Sequence, residues 1–269
     1  MHEPEFDYRK PILVKPHLFK SGEPVICLDK KLVEKKDEIA LGIEFICRRQ
    51  LFGRVYARLT GSYFWNMPRN SGVMIAPFIM TYDIFPDKKF PGDIDLLIIP
   101  YENNELILSR VLAIELKIIR AKYSKQGKSP NDYGFSQALG LLNFGLPYAA
   151  VGHLVISDES PKDAWRRTSV ATVISAVDGR ISPLREIQMD LMPLDLLRRS
   201  VGRLSSNTPN DKLGFFAAYL SDDRNHHWEP EGRVAMLNSK YSHESLDKIA
   251  QYYYQNTTKF FMTPRFDPV

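Results

Sequence analysis

Charged side chains stand inside two apolar stretches of the chain, and their spacing is compatible with metal chemistry. In AIELK (113–117), Glu115 and Lys117 are two residues apart, so in an extended strand they project to the same face. A buried carboxylate and ammonium cost free energy unless they are paired or bound to a metal. GDIDLLII (92–99) carries Asp95 directly before a second apolar run. Core packing alone does not explain these charges.

The two stretches are joined by a polar turn and are predicted to form an antiparallel hairpin. Strands are predicted at 96–99 and 106–119, on either side of YENNE (101–105). With the turn centred on Asn103 and Asn104, Asp95 pairs near residue 112, and a bulge or slip would bring it close to Glu115. Two carboxylates and an ammonium then converge at one end of a sheet, a ligand set suited to Mg²⁺.

The elements around this hairpin predict an α/β domain with a mixed central β-sheet flanked by helices. A helix capped by Asp29 is predicted over 29–52, followed by strands at 54–65 and 72–80. After the hairpin, a helix beginning at Asp132 and ending at Gly145 precedes a strand at 148–157. The alternation of helices and strands is typical of this fold class.

The chain is divided into three parts by its composition and periodicity. Residues 1–28 are rich in proline and are predicted to form an arm. The core is assigned to 29–204, with a strand at 170–177 and a helix at 194–204. Residues 205–269 are predicted to form a C-terminal helical extension with a helix at 243–261, or to belong to the same domain as the core.

Composition excludes several classes of protein. Of the 269 residues, 44% are hydrophobic and 25% charged, which is ordinary for a globular protein. No apolar run is long enough to cross a bilayer and no secretory signal is present, so we expect no membrane association and a cytoplasmic location. Cys27 and Cys47 are too few for a disulfide framework, and both are expected in the core. The net charge of +4 is compatible with a polyanionic partner.

Asp95 and the Glu115-Leu116-Lys117 element, twenty residues on, resemble the PD-(D/E)xK nuclease superfamily. The resemblance covers roughly residues 30–157 and implies a restriction-endonuclease-like core. It implies that Asp95, Glu115 and the main-chain carbonyl of Leu116 bind the metal, and that Lys117 positions or polarises the attacking water. No proline directly precedes Asp95, which leaves Asp93 as the other candidate; Asp95 is favoured because the apolar run begins directly after it.

The same resemblance implies two further site residues. Many members carry a glutamate on the first helix, and the helical wheel favours Glu44, on the flank of the apolar stripe, over Glu38 on its far side. A salt bridge at the edge of the stripe is the alternative role for Glu44. Gln137 matches half of a Gln-x-x-x-Tyr motif, because residue 141 is leucine; it either contacts the site or lies on the helix surface.

A basic segment follows the Glu-x-Lys element. RAKYSKQGK (120–128) contains Arg120, Lys122, Lys125 and Lys128 and no acid. Beside the carboxylates, these side chains would neutralise backbone phosphates. The alternative is a solvated basic loop.

These observations predict a nuclease dependent on Mg²⁺ or Mn²⁺ that hydrolyses phosphodiester bonds, in DNA rather than RNA. From the resemblance we also expect a partner protein in a defence or repair complex, or a homodimer. One alternative is a catalytically silent subunit that binds nucleic acid or a partner protein. Another is a scaffold in which the acids are structural.

Overall fold

The structure is a computed structural model of the chain. It describes residues 6–17, 27–88, 92–127, 130, 133–221 and 228–265. The predicted phosphate contact Lys128 and the predicted helix start at Asp132 lie outside the described residues.

Eight α-helices are found in the described residues. They are α1 (Lys30–Glu34), α2 (Glu38–Cys47), α3 (Arg49–Thr60), α4 (Ser62–Asn66), α5 (Thr81–Ile84), α6 (Phe135–Asn143), α7 (Met192–Asn207) and α8 (His243–Gln255).

Thirteen β-strands are found in the same residues. They are β1 (Arg9–Pro11), β2 (Ser71–Met80), β3 (Asp93–Glu102), β4 (Glu105–Ile107), β5 (Leu112–Ala121), β6 (Tyr148–Ser157), β7 (Arg166–Val170), β8 (Val173–Ser175), β9 (Arg180–Ile181), β10 (Arg185–Met189), β11 (Gly214–Tyr219), β12 (Glu231–Arg233) and β13 (Phe261–Pro264).

A mixed sheet forms the centre of this α/β fold, as the sequence predicts. Nine of the described strands belong to it, in the order β13-β2-β3-β5-β6-β11-β12, with β4 between β3 and β1. The β5–β6 and β6–β11 pairs are parallel, whereas β3 is antiparallel to β2, β4 and β5. Helices α6, α7 and α8 pack on one face, and α2 and α3 pack on the other.

The first helical region differs from its prediction. Asp29 does cap α1, because its side chain accepts a hydrogen bond from the Lys31 N–H. The single helix expected over 29–52, however, is three helices, and Asp37 caps the second. The strand predicted at 54–65 is wrong, since this segment lies in α3 and α4. Its β-branched and aromatic residues follow a helical period that buries one face of α3, and this burial overrides their strand propensity.

The hairpin and the following elements agree more closely with the sequence. The β2, β6 and α6 predictions are confirmed to within a few residues. Asn103 and Asn104 both have positive φ, 47° and 71°, as a two-residue hairpin turn requires. The strand predicted across 106–119 is interrupted, because a 3₁₀ turn at Leu108–Arg110 separates β4 from β5.

The C-terminal region contributes to the main sheet. Residues 205–269 supply β11, which runs beside β6, as well as β12 and β13. A purely helical extension is therefore an incomplete description, and the predicted final helix ends at Gln255 rather than near 261. The strand predicted at 170–177 is divided between β7 and β8, which belong to two small hairpins outside the main sheet.

Two further predictions concern the burial of the cysteines and the absence of membrane-spanning helices. Cys27 and Cys47 are both exposed, so their predicted core positions are wrong. Cys47 is the last residue of α2, and the apolar stripe of α2 does not continue through it into α3. None of the helices in the described residues is long and apolar enough to cross a membrane.

Candidate functional site

The two predicted carboxylates face each other across β3 and β5. The last pair of this antiparallel ladder is Leu96 with Ile114, and continuing the register by one residue sets Asp95 opposite Glu115. The pairing predicted near residue 112 is three residues short. The 3₁₀ turn at Leu108–Arg110 inserts three residues between β4 and β5, and this insertion shifts the register by the same number.

Hydrogen bonds join the acids to the Glu-x-Lys element. Asp95 Oδ2 accepts a hydrogen bond from the Leu116 N–H at 2.6 Å. Lys117 Nζ donates to Glu115 Oε1 at 2.7 Å and to Gln137 Oε1 at 3.2 Å. The structure therefore brings Asp95, Glu115, Lys117 and Gln137 into one cluster, which we call the carboxylate cluster.

The carboxylates of this cluster are buried and incompletely paired. Asp95 is 9% exposed and Glu115 is 1% exposed. Glu115 Oε2 is buried and no N–H or hydroxyl group among the described residues donates to it, so the protein partner left to the Glu115 carboxylate, apart from Lys117, is the Asp95 carboxyl when one of the two acids is protonated. A buried charged oxygen without a partner carries a large desolvation cost, which an additional cation would offset.

Burial and like charge shift the ionisation of the cluster. Burial, followed by the charge of Glu115, raises the pKa of Asp95 to about 8. Burial also raises the pKa of Glu115, against the opposing effect of Lys117. For Lys117, burial would lower the pKa, but the hydrogen bond and charge of Glu115 outweigh it and the pKa is raised. Two acids that resist ionisation beside a retained ammonium make this cluster a candidate functional site.

The main chain of Leu116 faces the same side as Asp95. Its N–H points to β3, and in a strand the N–H and C=O of one residue point to the same side. The β3–β5 ladder ends before this position, at the pair of Leu96 and Ile114. The Leu116 carbonyl therefore lies at the open end of the ladder, beside the carboxylates.

The neighbouring ladder is distorted opposite Asp95. Strand β2 pairs Pro77 with Leu96 and Ile79 with Ile94, and it omits the intervening residue Phe78. Phe78 has a φ of 50°, a left-handed conformation that is costly for an aromatic residue. Such strain persists only where the surroundings enforce it, and here it coincides with the one ladder position, opposite Asp95, that is left out of the β2–β3 pairing. Asp93 pairs with Met80 further out and is only partly buried.

A glycine allows α6 to approach the cluster. Gly134 has a φ of 83°, and a Cβ atom at this position would lie 2.8 Å from Glu115 Cγ. A side chain at residue 134 is disfavoured by the positive φ, and it would also collide with the Glu115 side chain. This close approach carries the first turn of α6, with Gln137, over the carboxylates. The sequence contains the signal, a glycine just before the helix, but periodicity alone does not link it to Glu115.

The first-helix glutamate near the cluster is Glu38, so the placement predicted for Glu44 is not observed. Glu44 forms a salt bridge with Arg48 one turn along α2, which was the alternative role for it. Burial raises the pKa of Glu38, and the charge of Lys117 lowers it. The predicted helix 29–52 is broken, so α2 begins at Glu38. The acid near the carboxylates therefore lies in the first turn of α2, and not at the edge of the apolar stripe where Glu44 was expected.

A buried histidine lies beside Lys117. His153 on β6 is the parallel-ladder partner of Lys117 and is fully buried. Its Nδ1 lies 2.7 Å from Ser200 Oγ on α7. Burial lowers the pKa of His153 to about 4, so the imidazole is neutral and adds no charge at neutral pH. This agrees with a structural core histidine.

The basic segment extends from the end of β5 next to the cluster. Lys122 and Lys125 are exposed and their backbones bridge each other in a tight turn. Arg120 is also exposed, and its guanidinium donates to the Lys36 carbonyl at 2.6 Å. Gln126, which follows Lys125, is held by Arg199 on α7, whose guanidinium donates to Gln126 Oε1 at 2.9 Å. The segment is therefore anchored at Arg120 and at Gln126, and Lys122 and Lys125 between them are exposed to solvent.

The donor set available to a cation is small. In the part of the chain that the structure describes, no group of three or more His, Cys, Asp or Glu side chains is arranged to hold a metal ion. Two carboxylates and one carbonyl remain, and they fit Mg²⁺, which usually binds one or two protein carboxylates and fills its other positions with water or phosphate. The unpartnered Glu115 Oε2 is the atom that argues most directly for such a ligand.

Comparisons of the chain with protein-family models, with curated proteins and with solved structures found no match.

Proposed function

We propose that this protein is a metal-dependent nuclease of the PD-(D/E)xK type that hydrolyses phosphodiester bonds, in DNA rather than RNA. The observation that carries the proposal is the buried Glu115 carboxylate, which has one oxygen on Lys117 and the other without a partner, opposite Asp95. A scaffold has no use for two opposed buried acids, because apolar residues at those positions would be more stable.

Asp95, Glu115 and the Leu116 carbonyl are the proposed ligands of Mg²⁺ or Mn²⁺. When bound, the ion supplies a water of lowered pKa and neutralises charge that develops on the phosphate. Ionisation of Asp95 is costly because the side chain is buried and lies opposite Glu115, and a divalent cation would offset that cost. The Leu116 N–H keeps the Asp95 carboxylate oriented in the meantime.

Lys117 and Gln137 are proposed to hold the attacking water. The ammonium of Lys117 is only partly buried and retains its charge, so it can donate to an oxygen nucleophile or to a phosphate oxygen. Gln137 Oε1 accepts from the same ammonium and restricts its position. Glu38 acts on Lys117 through its charge and is the proposed first-helix acid, in place of Glu44.

Arg120, Lys122 and Lys125 are proposed to contact the backbone of the nucleic acid. Their exposure at the end of β5, the strand that carries Glu115 and Lys117, suits phosphate neutralisation without base reading. A cytoplasmic location, and a partner protein in a defence or repair complex or a second copy of the chain, stay predictions.

Cleavage of supercoiled plasmid tests the proposal. The protein is incubated with plasmid in Mg²⁺, Mn²⁺ or EDTA, and wild type is compared with Glu115→Gln. The matched control is Glu186→Gln, which makes the same change at an exposed residue. We expect nicking in either metal, none in EDTA, and a loss of at least about 100-fold in Glu115→Gln only.

Three other results would contradict the assigned site, favour the alternative function or overturn the proposal. Cleavage that Glu115→Gln leaves unchanged would contradict the assigned site. Binding of DNA with no cleavage under any condition would support the catalytically silent subunit instead. A protein that neither cuts nucleic acid nor binds a divalent ion would overturn the enzyme proposal.

A further inference from the structure

A second concave site lies on the other face of the sheet. It is a cavity of about 670 Å³ between α3, α4, the start of β5 and β6, and residues 234–237. Its volume is within the range of small-molecule sites, roughly 300–1,000 Å³. Leu112 lines it at three residues, about 10 Å of strand, from Glu115. Because Leu112 and Glu115 project to opposite faces of β5, the cavity is separate from the carboxylate cluster.

Arg110 is the one charged side chain among the described residues that line this cavity. Its guanidinium carbon lies 4.9 Å from the centre of the Tyr63 ring and 5.8 Å from that of Tyr148. Its Nη1 donates to the Tyr148 hydroxyl at 2.8 Å. The guanidinium is thus held in a fixed orientation between two aromatic side chains.

Tyrosine hydroxyls surround this arginine. Tyr63 donates to Glu102 Oε1 at 3.1 Å, and Glu102 also lies 3.4 Å from Arg9 Nη1, so this acid is shared with a second cation. Behind them, the Tyr56 hydroxyl is buried without a hydrogen-bond partner among the described residues. Burial raises the pKa of Tyr56, and the charge of Arg110 opposes this effect, so the hydroxyl remains a proton donor at neutral pH.

The rest of the lining is apolar or carries a hydroxyl. Val234 and Met236 provide an accessible apolar wall, and Ser62 and Thr60 provide hydroxyls. Met236 is 57% exposed, which leaves a large apolar side chain at the rim of the cavity in contact with water. A ligand that covers this wall would be stabilised by the burial of apolar surface.

We infer that this cavity binds a small organic anion with a planar aromatic body, its anionic group on Arg110 and its ring against the tyrosines and the apolar wall. A planar guanidinium recognises phosphate or carboxylate oxygens through paired hydrogen bonds, and aromatic rings stack beside it. An anion is favoured over a cation because no lining residue is acidic. The inference concerns a separate site and does not rest on the nuclease proposal.

Calorimetric titration in EDTA tests this inference, because the chelator prevents a metal-bridged phosphate from binding at the carboxylate cluster. The probes are AMP, for an aromatic phosphate, and 1-naphthoate, for an aromatic carboxylate. We expect at least one to bind with a Kd below about 1 mM, and adenosine or inorganic phosphate alone to bind at least about tenfold more weakly.

Variants locate the binding. Arg110→Gln should weaken it by about tenfold or more. Because Arg110 also supports Tyr148, an exposed rim position provides a second test: Met236→Glu should weaken anion binding, and Met236→Lys should preserve or strengthen it. Glu115→Gln, on the other face, should leave the Kd unchanged.

Binding of neither probe to wild type at millimolar concentration would overturn the inference. It would also be overturned by binding that Met236→Glu and Arg110→Gln both leave unaltered. A loss on Glu115→Gln would assign the anion to the carboxylate cluster and likewise contradict this site.

Discussion

The carboxylate cluster and the Arg110 cavity lie on opposite faces of the same strands and treat charge in opposite ways. The cluster buries two opposed acids, Asp95 and Glu115, with one ammonium between them and Gln137. The cavity holds one guanidinium between tyrosines and has no acidic lining residue. A buried polar atom without a hydrogen-bond partner among the described residues belongs to the cluster, Glu115 Oε2, and another, the Tyr56 hydroxyl, lies within the electrostatic influence of Arg110.

The two regions differ in the charge of the ligand that each would accept. The cluster has two carboxyl groups and one ammonium, and burial is the main cause that raises the pKa of both acids. In the cavity, Arg110 is the one charged side chain among the described lining residues, and no lining residue is acidic. We therefore propose a cation as the ligand of the cluster and an anion as the ligand of the cavity, on opposite faces of one sheet.

The largest expected effect is on catalysis at Lys117. Lys117→Met should lower plasmid cleavage by about 100-fold or more, because the ammonium that holds the water or phosphate is lost. Divalent-cation binding should persist, since no proposed ligand is removed. Lys240→Met makes the same change on an exposed side chain that has no proposed role in binding, and it should retain most activity. Simultaneous loss of cation binding in Lys117→Met would mean that the ammonium organises the ligands rather than the reaction.

The next effect is on the stability of the cation-free protein. In the folded state the pKa of Asp95 is raised from its ordinary value of 3.8 to about 8. Between these pH values the folded state binds more protons than the unfolded state, so its stability falls as pH rises. Asp95→Asn removes this loss and should raise the free energy of unfolding at pH 8 by on the order of 2 kcal/mol. The gain should vanish near pH 4. Urea unfolding in EDTA at both pH values measures it, and a variant less stable than wild type at pH 8 would contradict the raised pKa.

A smaller effect separates two glutamates of α2. Glu38→Gln should lower cleavage by about tenfold, because its charge acts on Lys117. Glu44→Gln loses only the Arg48 salt bridge and should change cleavage by less than about twofold. Steady-state cleavage rates of the two variants decide between them, and the reverse order would restore the helical-wheel assignment of Glu44.

The smallest effect is expected at Tyr56, whose hydroxyl is influenced by the charge of Arg110. Tyr56→Phe removes a buried hydroxyl that has no partner among the described residues, so it should change the free energy of unfolding by less than about 1 kcal/mol, with either sign. This contrasts with the large gain expected for Asp95→Asn at pH 8. Thermal unfolding of both variants at pH 8 compares them, and a loss of several kcal/mol in Tyr56→Phe would show that the hydroxyl has a structural partner.

The sequence contains enough information to predict the hairpin and its acids. The apolar runs, the Asn-Asn turn and the same-face spacing of Glu115 and Lys117 all arise from local periodicity, and the structure keeps them. The exact pairing was not predictable in this way, because the 3₁₀ turn at Leu108–Arg110 has no strong signal of its own and it shifts the register by three residues.

The remaining errors come from contacts distant in sequence. Aromatic residues over 54–65 suggest a strand, but packing on the sheet selects a helix. Glu38 was rejected as lying on the far side of one long helix, and the break before Asp37 gives it a different orientation. Gly134 and Phe78 matter only because of what lies opposite them, Glu115 and Asp95, and no local pattern records that.

Titration with Mn²⁺, followed by electron paramagnetic resonance, tests most directly whether Asp95 and Glu115 form a cation site. The account predicts about one bound Mn²⁺ per wild-type chain, displaced by excess Mg²⁺. This binding should be lost in Glu115→Gln and retained in the exposed-site control Glu186→Gln. Absence of binding to wild type, or equal binding to wild type and Glu115→Gln, would contradict it.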